Sequence, residues 1–324
     1  MGPESIEEYR MAEPMKLLIT YDGSSYAEAA LDDLRRAGLP RMAEVVIMSV
    51  ADVFLPPSSS PEAAFPAQVP AAVQQAWAHA RRAVEEAQTL ARRAQARVLT
   101  DFPTWDVRIE ACADSPAWAV IKKADTWQPD MVVVGSHGRS AMGRLLLGSV
   151  SQKVLIEARC SVRVGRSRRQ TNETSIRLLI GVDGSSDAAA AVHAVARREW
   201  PTGSATHLVA VLDARMRTAL APTRPPVATW ATVGDEDEQS WVPKMVEAMA
   251  EPLRTRGLSV SSIIKAGDPK QVLLDEAEHW GADCIFVGAH GLSRIERFLL
   301  GSVSAAVAAR AHCSVEVVRP RRTL

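Results

Sequence analysis

At 324 residues the chain is long enough for two domains of ordinary size, each able to bury a core of its own. Its 38 Lys and Arg balance 38 Asp and Glu, so no basic excess exists to hold nucleic acid or an anionic membrane without regard to sequence, and the expected partners include neither. The four cysteines, Cys112, Cys160, Cys284 and Cys313, show no CxxC pair and no metal-ligand spacing, and read as reduced core residues of a cytoplasmic protein.

Residues 1–14, acidic and polar with no signal-peptide apolar region, read as a disordered arm. Met15 to Tyr21 is an apolar run closed by Asp22-Gly23-Ser24-Ser25, a turn and N-cap for an alanine-rich helix to about Ala37. Glu44 to Val50 follows as a β-branched strand, suited to a buried parallel position. The Pro- and Ser-rich stretch Ala51 to Pro70 reads as a surface excursion or flap. Ala71 to Arg97 is helical in composition and Val107 to Cys112 makes a third strand. Asp114-Ser115-Pro116 caps a helix to about Trp127, and Met131 to Ser136 is a fourth strand. A helix from Gly148 to about Ala158 and a strand from Ser161 to Val164 close the unit. Residues 167–175 form a polar, basic linker, after which 176–320 repeat the order, with a Pro-rich, acidic interruption around Ala221 to Gln239. The expected fold is α/β: two tandem domains, 15–166 and 176–320, each an open parallel sheet with helices on both faces.

The strongest internal signal is a repeat. Val134 to Ser151 returns as Val287 to Ser304, and Asp130 to Arg166 aligns without a gap on Asp283 to Arg319 at about 20 of 37 positions, well above chance. In each copy the glycines keep one spacing: Gly135, Gly138 and Gly148 before Ser149, then Gly288, Gly291 and Gly301 before Ser302. Each pattern reads as a strand delivering a glycine loop to a helix N-terminus, where free N–H groups make an anion site. In an open α/β sheet the ligand lies beyond the carboxyl ends of the strands, at the switch in strand order. Asp22 or Asp183 after the first strand, Gly135 or Gly288 after the fourth, and Val50 or Val211 at the end of the second would surround such a crevice.

At these residues the chain resembles the universal stress protein family, in particular its tandem members of the ATP-binding branch, and the resemblance covers nearly all of Met15 to Arg319. It implies a Rossmann-like sheet of strand order 3-2-1-4-5 in each half and ATP as ligand, with an accompanying Mg²⁺ left open. It assigns Asp22 and Asp183 to the adenosine, the backbones of Val50 and Val211 to the adenine edge, and Gly135 and Gly288 to the ribose and phosphates. Gly138, Gly148, Ser149 and Val150, with Gly291, Gly301, Ser302 and Val303, would hold the phosphates. The resemblance also implies that the last strands, where Val162 and Val164 or Val315 and Val317 alternate with charged neighbours, meet across a two-fold axis as a pseudo-dimer within the chain; a further homodimer is open. Ser161 and Ser314 stand where the family often has proline, which should affect the start of the strand and little else.

His137 and His290, in the loops, lack an acid or nucleophile at interpretable spacing and read as ligand-packing residues, not catalysts. Arg139 and Gly143 in the first loop face Leu292 and Glu296 in the second, which makes the first site the tighter one. No GxxxxGK[ST], GxSxG or GxGxxG stands after the first strand, so ATP hydrolysis would be slow at most. The reading is an ATP-binding tandem stress-response regulator in which the nucleotide acts as a signal. The alternative is a non-enzymatic dimerisation scaffold with weak or no nucleotide.

Overall fold

The computed structural model describes residues 14–53, 71–138, 147–167, 175–213, 236–291 and 300–320. The expectations for the N-terminal arm, the linker core and both flaps lie mostly outside these residues, as do Arg139, Gly143, Leu292 and Glu296. The first half runs β1 (Met15–Thr20), α1 (Ser25–Leu34), β2 (Ala43–Ala51), α2 (Ala71–Asp101), β3 (Asp106–Ala113), α3 (Pro116–Trp127), β4 (Met131–Gly135), α4 (Ser149–Glu157) and β5 (Ser161–Gly165). The second runs β6 (Arg177–Val182), α5 (Ser186–Ala196), β7 (Ala205–Leu212), α6 (Glu236–Thr255), β8 (Ser259–Ala266), α7 (Pro269–Trp280), β9 (Cys284–Gly288), α8 (Ser302–Arg310) and β10 (Ser314–Val318).

Each half has the expected order, and the two join into one sheet, β3-β2-β1-β4-β5-β10-β9-β6-β7-β8. All pairings are parallel except β5 with β10, which is antiparallel and pairs Arg163 with Glu316. One expected boundary moves: Glu236 to Gln239, read as interruption, already belong to α6, which also carries Pro243 and Pro252 within it. Acidic residues are favourable in a first helical turn, so composition alone misplaces this start.

Alternation along β5 and β10 separates two kinds of interior. Val162, Val164, Val315 and Val317 face one side, where a single apolar cluster runs unbroken through both halves. On the other face each half keeps its own cluster. Between those two cores sit Arg163 and Glu316, each 0% exposed. Arg163 donates to both carboxylate oxygens of Asp33, at 2.7 and 3.2 Å, and to Glu316 at 3.0 Å. Arg198 completes the set by donating to Glu316 and, at 3.1 Å, to the carbonyl of Ala37. Isolated charges cannot be buried at tolerable cost, and this alternating set is how Asp33, Arg163 and Glu316 are, with the partly buried Arg198 at its end.

Ser161 and Ser314 do more than adjust a strand start, which corrects the sequence reading. The Ser314 hydroxyl accepts from the Arg166 N–H at 3.0 Å and the Ser161 hydroxyl from the Arg319 N–H at 3.1 Å, so the two serines tie the halves together reciprocally. The side chains follow the same symmetry: Arg166 donates to the Ala308 carbonyl of α8, and Arg319 to the Leu155 carbonyl of α4 at 2.7 Å. Each arginine thus satisfies carbonyls in the last turn of the other half's helix, where a cation is favourable.

Cys284 and Cys313 are buried, whereas Cys112 and Cys160 are only half-buried, and all four are free thiols. Burial pushes Cys160 up to about 11 and Cys313 up to about 12, so neither is a thiolate near neutrality. Gly165, the last residue of β5, is set by packing. A Cβ there would lie 2.5 Å from the Cα of Ala30, because α1 rests on the strand backbone. Gly165→Val is therefore expected to destabilise by at least the ~1–3 kcal/mol of ordinary overpacking, seen as a lower urea midpoint at unchanged slope.

Candidate functional site

The helices of each half start in two ways. α1 and α5 begin behind Ser24 and Ser185, whose hydroxyls accept from the N–H groups of Ala27 and Ala188 at 3.1 Å. α4 and α8 begin behind Gly148 and Gly301, and no side chain caps either one. The glycine N–H itself is not free, contrary to expectation: Gly148 donates to the Ser136 carbonyl at 2.9 Å and Gly301 to that of Ala289 at 2.8 Å. What α4 presents is the next amides, those of Ser149 and Val150, with the dipole behind them.

In the first half these amides open on a cavity of about 650 Å³ lined by Asp22, Val50, Gly135, His137, Gly138, Gly148, Ser149 and Val150, among others. Sites for small ligands and cofactors typically enclose about 300–1,000 Å³. All the described residues expected at the first site therefore meet at one place, at the carboxyl ends of β1, β2 and β4, beside the switch in strand order.

Backbone alternation orients Val50. The Met48 carbonyl accepts from Tyr21 on the β1 side, and the Ala51 carbonyl accepts from Asp114 on the β3 side. Val50 must then direct its N–H and C=O toward β1, which has already ended at Thr20. That leaves a donor and an acceptor facing the cavity, as an adenine edge would need. Val211 has the same orientation, since Leu212 accepts from Gly267 on the β8 side.

Asp22 is both a turn residue and a cavity residue. Its Oδ1 accepts from the Ser24 N–H at 3.0 Å, while a Cβ on Gly138 would lie 3.0 Å from its Oδ2. Asp183 does the same with Ser185 at 3.0 Å and lies 2.7 Å from a Cβ built on Gly291. The glycines at 138 and 291 let these carboxylates approach the loop backbone. Gly135 and Gly288 have a different reason: a Cβ would lie 2.9 Å from the Tyr26 backbone or 2.6 Å from that of Asp187, so they serve the packing of α1 and α5.

His137 carries the clearest sign of a missing partner. Its Nδ1 lies 3.2 Å from the Ser136 hydroxyl and its ring 4.8 Å from that of Tyr26. Among the described residues its Nε2 is buried without a hydrogen-bond partner. A polar atom in that state costs about 1–3 kcal/mol unless something binds it.

The second half departs from this at two positions that the sequence reading passed over. Asp187 stands where the first half has Tyr26, and its Oδ2 accepts from the His290 N–H at 3.1 Å and lies 2.9 Å from its Nδ1. A buried carboxylate thus faces the second glycine loop. Trp241 of α6 lies so close over the Asp-Gly turn that a Cβ on Gly184 would be 2.9 Å from its ring. Ser151 and Ser304 were also missed. Each donates to the carbonyl at the strand end, of Gly135 or Gly288, at 2.6 Å, and so fixes the loop to its helix. Their recurrence in both Gly-Ser-Val-Ser runs was the available signal.

The model of the family described as "Universal stress protein family" matches residues 14–166 and again 176–319. The chain belongs to the universal stress protein family. A universal stress protein of Mycolicibacterium smegmatis (strain ATCC 700084 / mc(2)155) is 33% identical over 249 residues, 75% of this chain and 78% of that one. One of Mycobacterium tuberculosis (strain ATCC 25618 / H37Rv) is 31% identical over 194 residues, 59% of this chain and 62% of its own length. The crystal structure of a universal stress protein from Archaeoglobus fulgidus DSM 4304 covers 94% of this chain and 98% of its own, with TM-score 0.63 and 20% identity, a likeness of fold. Among the described residues of this universal stress protein, no helix is long and apolar enough to cross a membrane.

Proposed function

We propose that this universal stress protein binds an adenine nucleotide, ATP, in the first-half cavity and uses its occupancy as a signal that sets conformation or partner choice. The observation that carries the reading is the conjunction at one cavity of an uncapped helix N-terminus and the unpartnered Nε2 of His137. Base, ribose and phosphates are assigned to Val50, Asp22 and the backbones of Gly138, Gly148, Ser149 and Val150 in that order. Among the described lining residues there is no Lys or Arg, and Asp22, Asp52 and Glu86 bring three carboxylates. Phosphate would therefore be held by backbone dipoles, Mg²⁺ would offset the carboxylates, and hydrolysis would be slow. Free thiols in all four cysteines support a cytoplasmic setting.

The second site, with Asp187 against its loop and Trp241 over its turn, is proposed to bind more weakly. Purified protein should accordingly release close to one equivalent of adenine nucleotide on denaturation, measured by chromatography and mass spectrometry. Two equivalents would remove the asymmetry. None, together with no heat of binding on adding Mg·ATP, would sink the nucleotide reading and leave a dimerisation scaffold as the function.

A further inference from the structure

The junction of the halves carries a pattern that nucleotide binding does not use. The repeat aligns Arg163 with Glu316, and the antiparallel register pairs the same two residues. A residue paired with its own repeat equivalent lies on the pseudo-two-fold axis, so every position near it can be compared with its copy. Most of them match: Ser161 with Ser314, Val162 with Val315, Arg166 with Arg319. On the axis itself the two copies carry opposite charges.

Each axial charge is already matched within its own half, Arg163 by Asp33 of α1 and Glu316 by Arg198 just after α5. Across the junction the order is Asp33, Arg163, Glu316, Arg198, which alternates in sign throughout. Two copies of the first half would instead set arginine against arginine at the centre, and two copies of the second would set carboxylate against carboxylate. Neither axial side chain has solvent in which to escape, since both are 0% exposed. Like charges juxtaposed in an interface suppress wrong partners strongly, and specifying a register or partner is the best-attested use of a buried ionic pair.

A second difference acts through shape. The repeat aligns Ala37-Gly38-Leu39-Pro40 with Arg198-Glu199-Trp200-Pro201. A Cβ on Gly38 would lie 3.0 Å from both the Arg198 Cβ and the Trp200 ring, so the second half is seated against a position that has no side chain. A second copy of the second half would bring Glu199 to that place. A second copy of the first would offer Ala37 and Leu39 where Arg198 and Trp200 now fill the contact.

We propose that this strand face is a charge-coded heterotypic docking surface. The first half accepts a half that carries a carboxylate on the axis with an arginine behind it, and it rejects a copy of itself. The chain therefore closes on itself, and the exchange open to it between chains is reciprocal, first half to second half.

Two full-length variants test this, Glu316→Arg and Arg163→Glu. Each alone has like charges on the axis. Mixed, the first half of the Glu316→Arg chain and the second half of the Arg163→Glu chain both keep their original axial residues and can rebuild one native junction, while the other junction has opposite charges on the axis in exchanged places. With one chain isotope-labelled and the two co-refolded, native mass spectrometry should show mixed pairs in at least tenfold excess over like pairs, where wild type stays closed as single chains and any pairs of labelled and unlabelled wild type occur in the statistical share. Should the variants aggregate separately, the co-refolded mixture should be soluble. A statistical distribution, variants that each remain closed as wild type does, or a mixture as insoluble as its parts would overturn the proposal. Glu316→Gln, which keeps the shape and removes the charge, should remain closed. If it opened as readily as Glu316→Arg, loss of a bond and not charge sign would be the cause, and the code would fail.

Discussion

Glu316→Ala should lower the stability of the whole chain by roughly 3–5 kcal/mol, the cost of removing one partner from a buried ionic set. Glu316 receives Arg163 at 3.0 Å and Arg198 at 2.8 Å, and truncation would leave two guanidinium groups facing a gap. Only Arg163 retains a carboxylate, Asp33. The pH dependence follows from the same contacts. Burial by itself would raise the Glu316 carboxyl, but the charges and hydrogen bonds of Arg198 and then Arg163 outweigh it and hold the group below the ordinary glutamate range. In the unfolded chain it titrates near about 4.3. The folded form has the lower value, so its stabilisation is complete above the unfolded value and is lost as pH falls through the folded one. Urea midpoints measured from about pH 7 down to about pH 3 should fall more steeply for wild type than for Glu316→Gln, which lacks this carboxyl. Parallel curves would show that Glu316 does not hold its charge in the fold.

Ser149→Glu should separate binding from folding, because the two effects have opposite sign. Ser149 is exposed at the first position of α4, with no capping side chain before it. A glutamate there meets the positive end of the helix dipole and should stabilise the protein by about 0.3–1 kcal/mol. The same carboxylate points into the space proposed for phosphate. At about 4 Å and an effective dielectric near 20, one repulsive pair costs about 4 kcal/mol, so a loss of nucleotide affinity on the order of 100-fold or more is expected. Calorimetric titration with Mg·ATP beside a thermal melt reads both quantities on one preparation. Ser302→Glu, the equivalent change at α8, should leave the first-site affinity unchanged. Unaltered affinity in Ser149→Glu would remove α4 from the phosphate site.

Strand and helix placement could be read from the residues because they rest on local pattern, whereas the order of strands in each sheet followed from the family resemblance. Apolar runs of five to eight residues, Asp-Gly-Ser-Ser turns and alanine-rich stretches mark elements by their own composition, and the duplication supplied each reading twice. The glycine spacing located the cavity for the same reason: where a backbone must turn or approach closely, glycine is required at that position whatever surrounds it. The purpose of each glycine was less legible. Gly148 and Gly138 border the cavity, while Gly135, Gly165 and Gly288 are glycines because a helix backbone lies against them, and those contacts come from distant parts of the chain.

By itself, then, the sequence determined a tandem α/β protein of the universal stress family with one glycine loop per half. Periodicity and turn chemistry are written in neighbouring residues and need no knowledge of what packs where. Only the tertiary structure decided that the charged residues between the valines of β5 and β10 are interior, that Ser161 and Ser314 clasp the halves, and that Asp187 and Trp241 set the second site apart from the first. Arg163 meets Asp33 across 130 positions of chain and Glu316 across 153, and no local pattern distinguishes a charge that will find such a partner from one left in water.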